Sequence, residues 1–266
     1  MVRLTTLDIR QLKEKGEPIA MVTAYDATFA RLIDASGADM LLVGDSLGMV
    51  IQGRNSTLPV TMEHIIYHCQ AVVRGSQRAL VVGDLPFMSF QISVERALEN
   101  AGRLLAEGGC QAVKLEGGER SVPAVRAMVE AGIPVVGHLG LTPQSVNALG
   151  GFKVQGKGEA AAARLVADAK RLEEAGAFAI VLETIPTQVA QAVTRAVGVP
   201  TIGIGAGVHC DGQVLVCYDM LGLFDDLTPK FVKRFEELGA RTRTAVRSYV
   251  DEVKARAFPS DEFSFR

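Results

Sequence analysis

"SVERALENAGRLLAEGGCQAVKLEGG", residues 93–118, contains one complete structural unit. Ser93 stands where a helix N-cap belongs, Glu95 and Glu99 follow in the early turns, and a glycine pair closes the helical pattern. Glycine there supplies a left-handed C-cap before the chain turns into a strand. The apolar run 112–115 then begins, and Lys114 and Glu116 alternate around Leu115 at its end. A segment fit for burial therefore terminates in charge.

The unit recurs. "DATFARLIDASG" (26–37), "SVPAVRAMVEAG" (121–132) and "EAAAARLVADAKRLEEAG" (159–176) are further helical patterns ending in glycine. Between such patterns lie eight apolar runs, at 19–24, 40–43, 79–83, 112–115, 135–137, 179–182, 201–204 and 214–217. Most are apolar throughout rather than alternating, as expected of parallel strands covered on both faces. Alternating β and α segments imply right-handed crossovers. Eight of them in 266 residues predict a single domain, 1–266, folded as a (β/α)8 TIM barrel with an N-terminal helix. A doubly wound open sheet is the competing arrangement. Two connections are irregular: "GMVIQGRNSTLPVT" (48–61) lengthens the second, and "GAGVHCDGQ" (205–213) is too short for a full helix. The tail 228–256 is expected to be helical and to close the barrel, with "FPSDEFSFR" (258–266) peripheral.

Composition narrows the function. With 48% hydrophobic and 22% charged residues the chain is globular, and a net charge of −2 argues against a nucleic-acid or membrane surface. No apolar stretch approaches the roughly 18 residues of a spanning helix. "MVRLTTLDIRQLKEKGE" (1–17) lacks a secretory h-region and reads as a short amphipathic helix. Cys69, Cys110, Cys210 and Cys217 show no CxxC spacing, which fits reduced residues of a cytoplasmic protein.

In a barrel the chemistry gathers at the C-terminal ends of the strands. Here those ends carry Thr23, Tyr25 and Asp26; Asp45 and Ser46; Asp84; Lys114 and Glu116; His138; Glu183; the "GIGAG" stretch (203–207); and Asp219. Each alone has an ordinary explanation as a cap, turn or salt-bridge partner. Convergence from five or six strands needs a shared one, because buried charge is costly unless paired or bound to metal. Asp45, Asp84 and Glu116 offer three hard oxygen donors without a cysteine or histidine cluster, which suits Mg²⁺ rather than Zn²⁺. Lys114 is placed to hold a substrate carboxylate, and His138 and Glu183 are candidates for proton transfer. "HIIYH" (64–68) spaces His64 and His68 as a zinc pair would be, but Ile65 stands where a zincin needs glutamate, so both are expected on a helix face. "GIGAG" reads equally as an anion cradle or as a tight barrel rim.

Ten motifs in order, "TAYD" (23–26), "VGDSLGM" (43–49), "STLPVT" (56–61), "DLPFMS" (84–89), "VKLEGG" (113–118), "GHLGLTPQS" (137–145), "GGFKVQGKG" (150–158), "LETIP" (182–186), "IGIGAG" (202–207) and "DGQVLV" (211–216), closely resemble the ketopantoate hydroxymethyltransferase family. The resemblance implies a barrel of the phosphoenolpyruvate/pyruvate type. It implies transfer of a hydroxymethyl group from 5,10-methylenetetrahydrofolate to 3-methyl-2-oxobutanoate, the first step of pantothenate synthesis on the way to coenzyme A. It further implies Mg²⁺, an enolate stabilised by that ion, a cytoplasmic location and a homodecamer of two pentamer rings. Residue by residue, Asp45 and Asp84 match metal-binding and substrate-binding aspartates, and Glu116 matches a third metal-associated carboxylate. Ser46 and Lys114 match substrate contacts, Glu183 the proton acceptor and His138 an active-site histidine. The family commonly carries a histidine before its last aromatic, where this chain has "DEFSFR". Rival readings are a Mg²⁺-dependent C–C lyase or mutase of 2-oxo acids, a Schiff-base aldolase using Lys114, and a non-enzymatic binding protein.

Overall fold

The structure, a computed structural model, describes residues 2–225 and 229–265. All eight apolar runs form strands: β1 Ile19–Thr23, β2 Met40–Val43, β3 Leu80–Asp84, β4 Ala112–Glu116, β5 Val135–Gly140, β6 Ala179–Glu183, β7 Thr201–Ile204 and β8 Gly212–Leu215. They pair in parallel in chain order, and β8 pairs with β1 to close the barrel. The open-sheet arrangement is thereby excluded. β8 begins two residues earlier than its apolar run. Asp211 explains the shift: its carboxylate accepts from Thr201 N at 2.8 Å, and its own N–H donates to Thr201 Oγ1 at 3.3 Å, setting the β7–β8 register before Gly212.

The helices are α1 Thr6–Lys15, α2 Ala27–Ala35, α3 Leu47–Val50, α4 Met62–Gly75, α5 Val94–Ala106, α6 Val122–Glu130, α7 Val146–Leu149, α8 Glu159–Glu174, α9 Thr187–Ala196, α10 Cys217–Met220 and α11 Leu238–Lys254. Local chemistry starts several of them, α5 at the expected Ser93. Ser93 caps α5 by accepting from Arg96 N, and Thr5 and Asp8 form a capping box on α1. No helix among the described residues is long and apolar enough to cross a membrane.

The barrel interior is one apolar cluster built from alternate strand residues, among them Met21, Met40, Leu42, Leu80, Val82, Ala112, Val136, Val181, Ile202 and Val214. Ile9 of α1, fully buried, joins this cluster, with Leu4 and Leu12 packed against it. Side chains two apart on a strand share a face. Asp84 therefore follows Val82 inward, Lys114 and Glu116 follow Ala112, His138 follows Val136, and Glu183 follows Val181. The interior changes from apolar to charged along its axis, and the change falls at the C-terminal ends of the strands.

The chain divides into two compact units, one running to Val216 and one from Cys217. The second contains α10 and α11. Its helix is shorter than the expected 228–256. Phe235 N donates to Met220 O at 2.7 Å and Leu238 N to Leu221 O at 2.9 Å, so these amides are committed to the turn after α10 and the helix starts at Leu238. Thr228 lies outside the described residues. Closure of the barrel is made by the β1–β8 pairing. Beyond α11, Phe258 packs against Tyr249 and Phe263.

Candidate active site

Strand register makes the neighbours. Asp84 on β3 pairs with Lys114 on β4, and Glu116 pairs with His138 on β5. Lys114 Nζ lies 2.9 Å from Asp84 Oδ1 and 3.3 Å from His138 Nδ1. Asp84 Oδ2 accepts from the backbone N–H of Asp45 at 3.1 Å. His138 Nδ1 is 3.7 Å from Glu116 Oε1, and His138 Nε2 is 3.0 Å from Glu183 Oε2. That last approach is a close polar contact rather than an aligned hydrogen bond. Ser46, just beyond β2, shares a 2.8 Å hydrogen bond with the Tyr25 hydroxyl. All seven site residues expected from the sequence thus stand at one mouth.

The electrostatics are unusual for carboxylates. Burial, then repulsion from Asp84, push the Asp45 carboxyl up to about 7 against the pull of Lys114. Burial and the nearby Asp45 hold Glu116 well above the ordinary range. Burial pushes Glu183 up to about 7. Its side chain keeps 16% of its exposure where those of Asp84 and Glu116 keep 1%, so Glu183 is the more accessible to a ligand. Burial alone would lower the Lys114 ammonium, but Asp84, Glu116 and Asp45 together raise it. Burial and the Lys114 charge push His138 well below its ordinary value, so the imidazole is neutral. With Lys114 donating, Nδ1 accepts and the ring proton is assigned to Nε2, facing Glu183.

The donor set suits a divalent cation of the Mg²⁺ type. Three buried carboxylates repel one another, all donors are oxygen, and Glu116 Oε1 has no hydrogen-bond partner among the described residues. Among the described residues no three His, Cys, Asp or Glu side chains are already gathered into a set that could hold an ion. The reason is visible in Lys114, which takes Asp84 as its ion-pair partner. The set fits an open ion that keeps positions for water or substrate oxygens, as Mg²⁺ does.

Other candidates resolve to local roles. Asp26 caps α2, accepting from Thr28 N and Phe29 N at 2.8 and 2.9 Å. His64 completes a capping box with Thr61 on α4, and His68 Nδ1 meets Tyr25 O. Asp219 lies within α10 of the second unit rather than at the end of β8, its carboxyl raised to about 6 by burial. In "GIGAG", Gly207 has φ +82° and a Cβ there would lie 2.5 Å from Thr187 Oγ1, which is the geometry of a tight rim.

Gln144 was not among the sequence candidates. It is buried in the short 3₁₀ turn Pro143–Ser145 after β5, its side chain donating to Asp45 Oδ2 at 3.0 Å. The quoted "LTPQS" contains it, but a single polar residue in a turn gives no sign that it reaches three strands away.

Residues 3–261 match the family model described as ketopantoate hydroxymethyltransferase. A 3-methyl-2-oxobutanoate hydroxymethyltransferase of Syntrophus aciditrophicus is 58% identical over 99% of this chain and 97% of its own length. Those of Moorella thermoacetica and Clostridium botulinum are 58% and 55% identical, covering 99% and 98% of this chain and 98% and 95% of their own. Among solved structures, phosphonopyruvate hydrolase in complex with oxalate and Mg²⁺ aligns with a TM-score of 0.64 at 13% identity, over 97% of this chain and 93% of that one. 2,3-Dimethylmalate lyase, a member of the PEP mutase/isocitrate lyase superfamily, aligns with a TM-score of 0.61 at 16% identity, over 98% and 92%. These two likenesses show the barrel fold.

Proposed function

The chain belongs to the ketopantoate hydroxymethyltransferase family, and from that premise we propose how its barrel mouth carries the reaction. It is a transferase that adds a hydroxymethyl group to 3-methyl-2-oxobutanoate, the opening step of pantothenate synthesis. Its one-carbon donor is 5,10-methylenetetrahydrofolate. A C–C bond forms between C3 of the 2-oxo acid and the donor's methylene carbon, the bonds from that carbon to folate nitrogen break, and water supplies the hydroxyl oxygen.

Before C3 can attack, its proton must leave. Glu183 is assigned as the acceptor. A carboxylate of ordinary pKa matches a carbon acid poorly, and burial improves the match by lifting Glu183 to about 7. His138, neutral and 3.0 Å away, orients that carboxylate. Lys114 pairs with the substrate carboxylate and Ser46 contacts the substrate, fixing its orientation along with Asp45 and Asp84. Asp45, Asp84 and Glu116 would hold Mg²⁺, which when bound supplies Lewis-acid polarisation of the 2-oxo group.

One observation carries this assignment: the Glu183 carboxylate lies 3.0 Å from His138 and beside the Lys114–Asp84 pair, all at one barrel mouth. The Schiff-base alternative fares worse, because a lysine held as an ammonium by Asp84, Glu116 and Asp45 has no lone pair for an imine. The decisive experiment is exchange of the C3 proton of 3-methyl-2-oxobutanoate into deuterated water, with and without Mg²⁺ and tetrahydrofolate. Metal-dependent exchange followed by folate-dependent product supports the reading. C–C cleavage without folate would instead favour a lyase. A cytoplasmic setting and assembly into a decamer of two pentamers are carried over from the family resemblance. Sedimentation measurements test the assembly.

A further inference from the structure

Gln144 has no part in the chemistry above, yet every polar atom of its side chain is committed. Nε2 donates to Asp45 Oδ2 at 3.0 Å and to Leu85 O at 2.9 Å, and Oε1 accepts from Gln91 Nε2 at 2.9 Å. The backbone N–H of the same residue donates to Glu116 Oε2 at 3.1 Å. Reversing the amide would turn Oε1 toward a carbonyl and a carboxylate, two acceptors, so its direction is set. One residue after β5 thus grips one oxygen of a carboxylate beyond β2 and one oxygen of a carboxylate on β4. The second oxygen of Glu116 is left without a hydrogen-bond partner among the described residues.

We propose that Gln144 is a positioning residue for the candidate metal site, orienting Asp45 and Glu116 through its side chain and backbone, with Gln91 setting the direction of its amide. The inference rests on the reading that these carboxylates hold a divalent ion. The physical reason is that two buried carboxylates repel each other and rotate away unless neutral donors hold them. The ion pair that Lys114 makes is with Asp84, not with either of these two carboxylates. Gln91 belongs to the segment between β3 and α5, so the orientation of Asp45 depends on a residue that acts through Gln144.

The test is Mn²⁺ binding to the metal-free, substrate-free full chain, followed by the paramagnetic resonance of free Mn²⁺. Gln144→Met keeps the volume and removes the donors. Gln91→Ala releases the amide from a distance. Gln144→Met is expected to weaken Mn²⁺ binding by about 10- to 100-fold, the range for residues that orient metal ligands. The metal concentration needed for half-maximal C3 exchange should rise in parallel. Gln91→Ala is expected to shift both in the same direction by a smaller factor. Unchanged Mn²⁺ affinity in Gln144→Met, with binding intact in the wild type, overturns the inference alone. Absence of Mn²⁺ binding in the wild type overturns the metal reading and this inference with it. If Gln144→Met does not fold, Gln91→Ala decides, and wild-type affinity there overturns the proposal.

Discussion

The two ends of the barrel use the same residue types for opposite purposes. At the N-terminal end, Asp34 accepts from Ala79 N at 2.6 Å, Gln77 N at 2.8 Å and Arg78 N at 3.1 Å. Lys13 Nζ reaches Val197 O, Val199 O and Asp211 Oδ2 at 3.0, 2.8 and 3.1 Å, and Arg78 pairs with Asp39 at 2.9 Å. Burial would raise the Asp34 carboxyl, but the three N–H donors bring it below its ordinary value. At the C-terminal end, burial raises Asp45, Glu116 and Glu183, and for the first two a neighbouring carboxylate adds to it. Charge surrounded by donors contributes stability. Charge held beside like charge weakens the fold and is available to bind a cation or accept a proton.

The comparison can be broken in four places, taken from the largest expected effect. Glu183→Gln should slow C3 proton exchange by about 10²- to 10⁴-fold, the usual range for a general base. Deuterium incorporation near the wild-type rate would sink the assignment. Next comes pH. Glu183 binds its proton more tightly folded than unfolded, at about 7. Its stabilising contribution is therefore full below about pH 4 and is lost as pH rises through about 7, amounting to on the order of 3 kcal/mol. Melting curves of the metal-free protein should show this downward slope, less steeply in Glu183→Gln. Asp34 has the opposite sign, its contribution being present above the ordinary carboxylate range and lost as pH falls through its lowered value.

Asp34→Ala should cost about 2 kcal/mol by stranding three backbone donors, while exchange per folded molecule stays at the wild-type level. A fall in exchange would mean that the two ends are coupled. The smallest effect is the most telling in sign. Glu116→Gln keeps an acceptor for Gln144 N–H but removes a charge from the crowded mouth. It should raise the stability of metal-free protein at pH 8 by about 1 kcal/mol, a shift of about 2–4 °C, while metal-dependent exchange falls. A lower melting temperature would show that the mouth carboxylates are not in tension.

Much of this was legible before any coordinates. The strands could be read because parallel strands buried on both faces are apolar throughout, and several of their starts because a glycine closes the preceding helical pattern. Lys114 and Glu116 could be assigned to one face from their spacing alone. Asp26 was not separable from Asp45 in this way: both follow an apolar run, and only the helix that starts at Ala27 turns the first into a cap. The tail helix was overextended because helical periodicity cannot see that Phe235 and Leu238 give their amides to the turn after α10.

Gln144 marks the boundary between the two kinds of information. Local patterning dictated alternating β and α elements and which residues stand at the strand ends, because burial of apolar runs and helix capping act over a few residues. Which of those residues touch was decided by closure and register. Gln144 and Asp45 are 99 positions apart and meet only because β2 and β5 enclose the same interior. The raised carboxylates have the same origin, since a pKa follows from neighbours in space, and only the closed barrel places Asp45 beside Asp84 and Glu116.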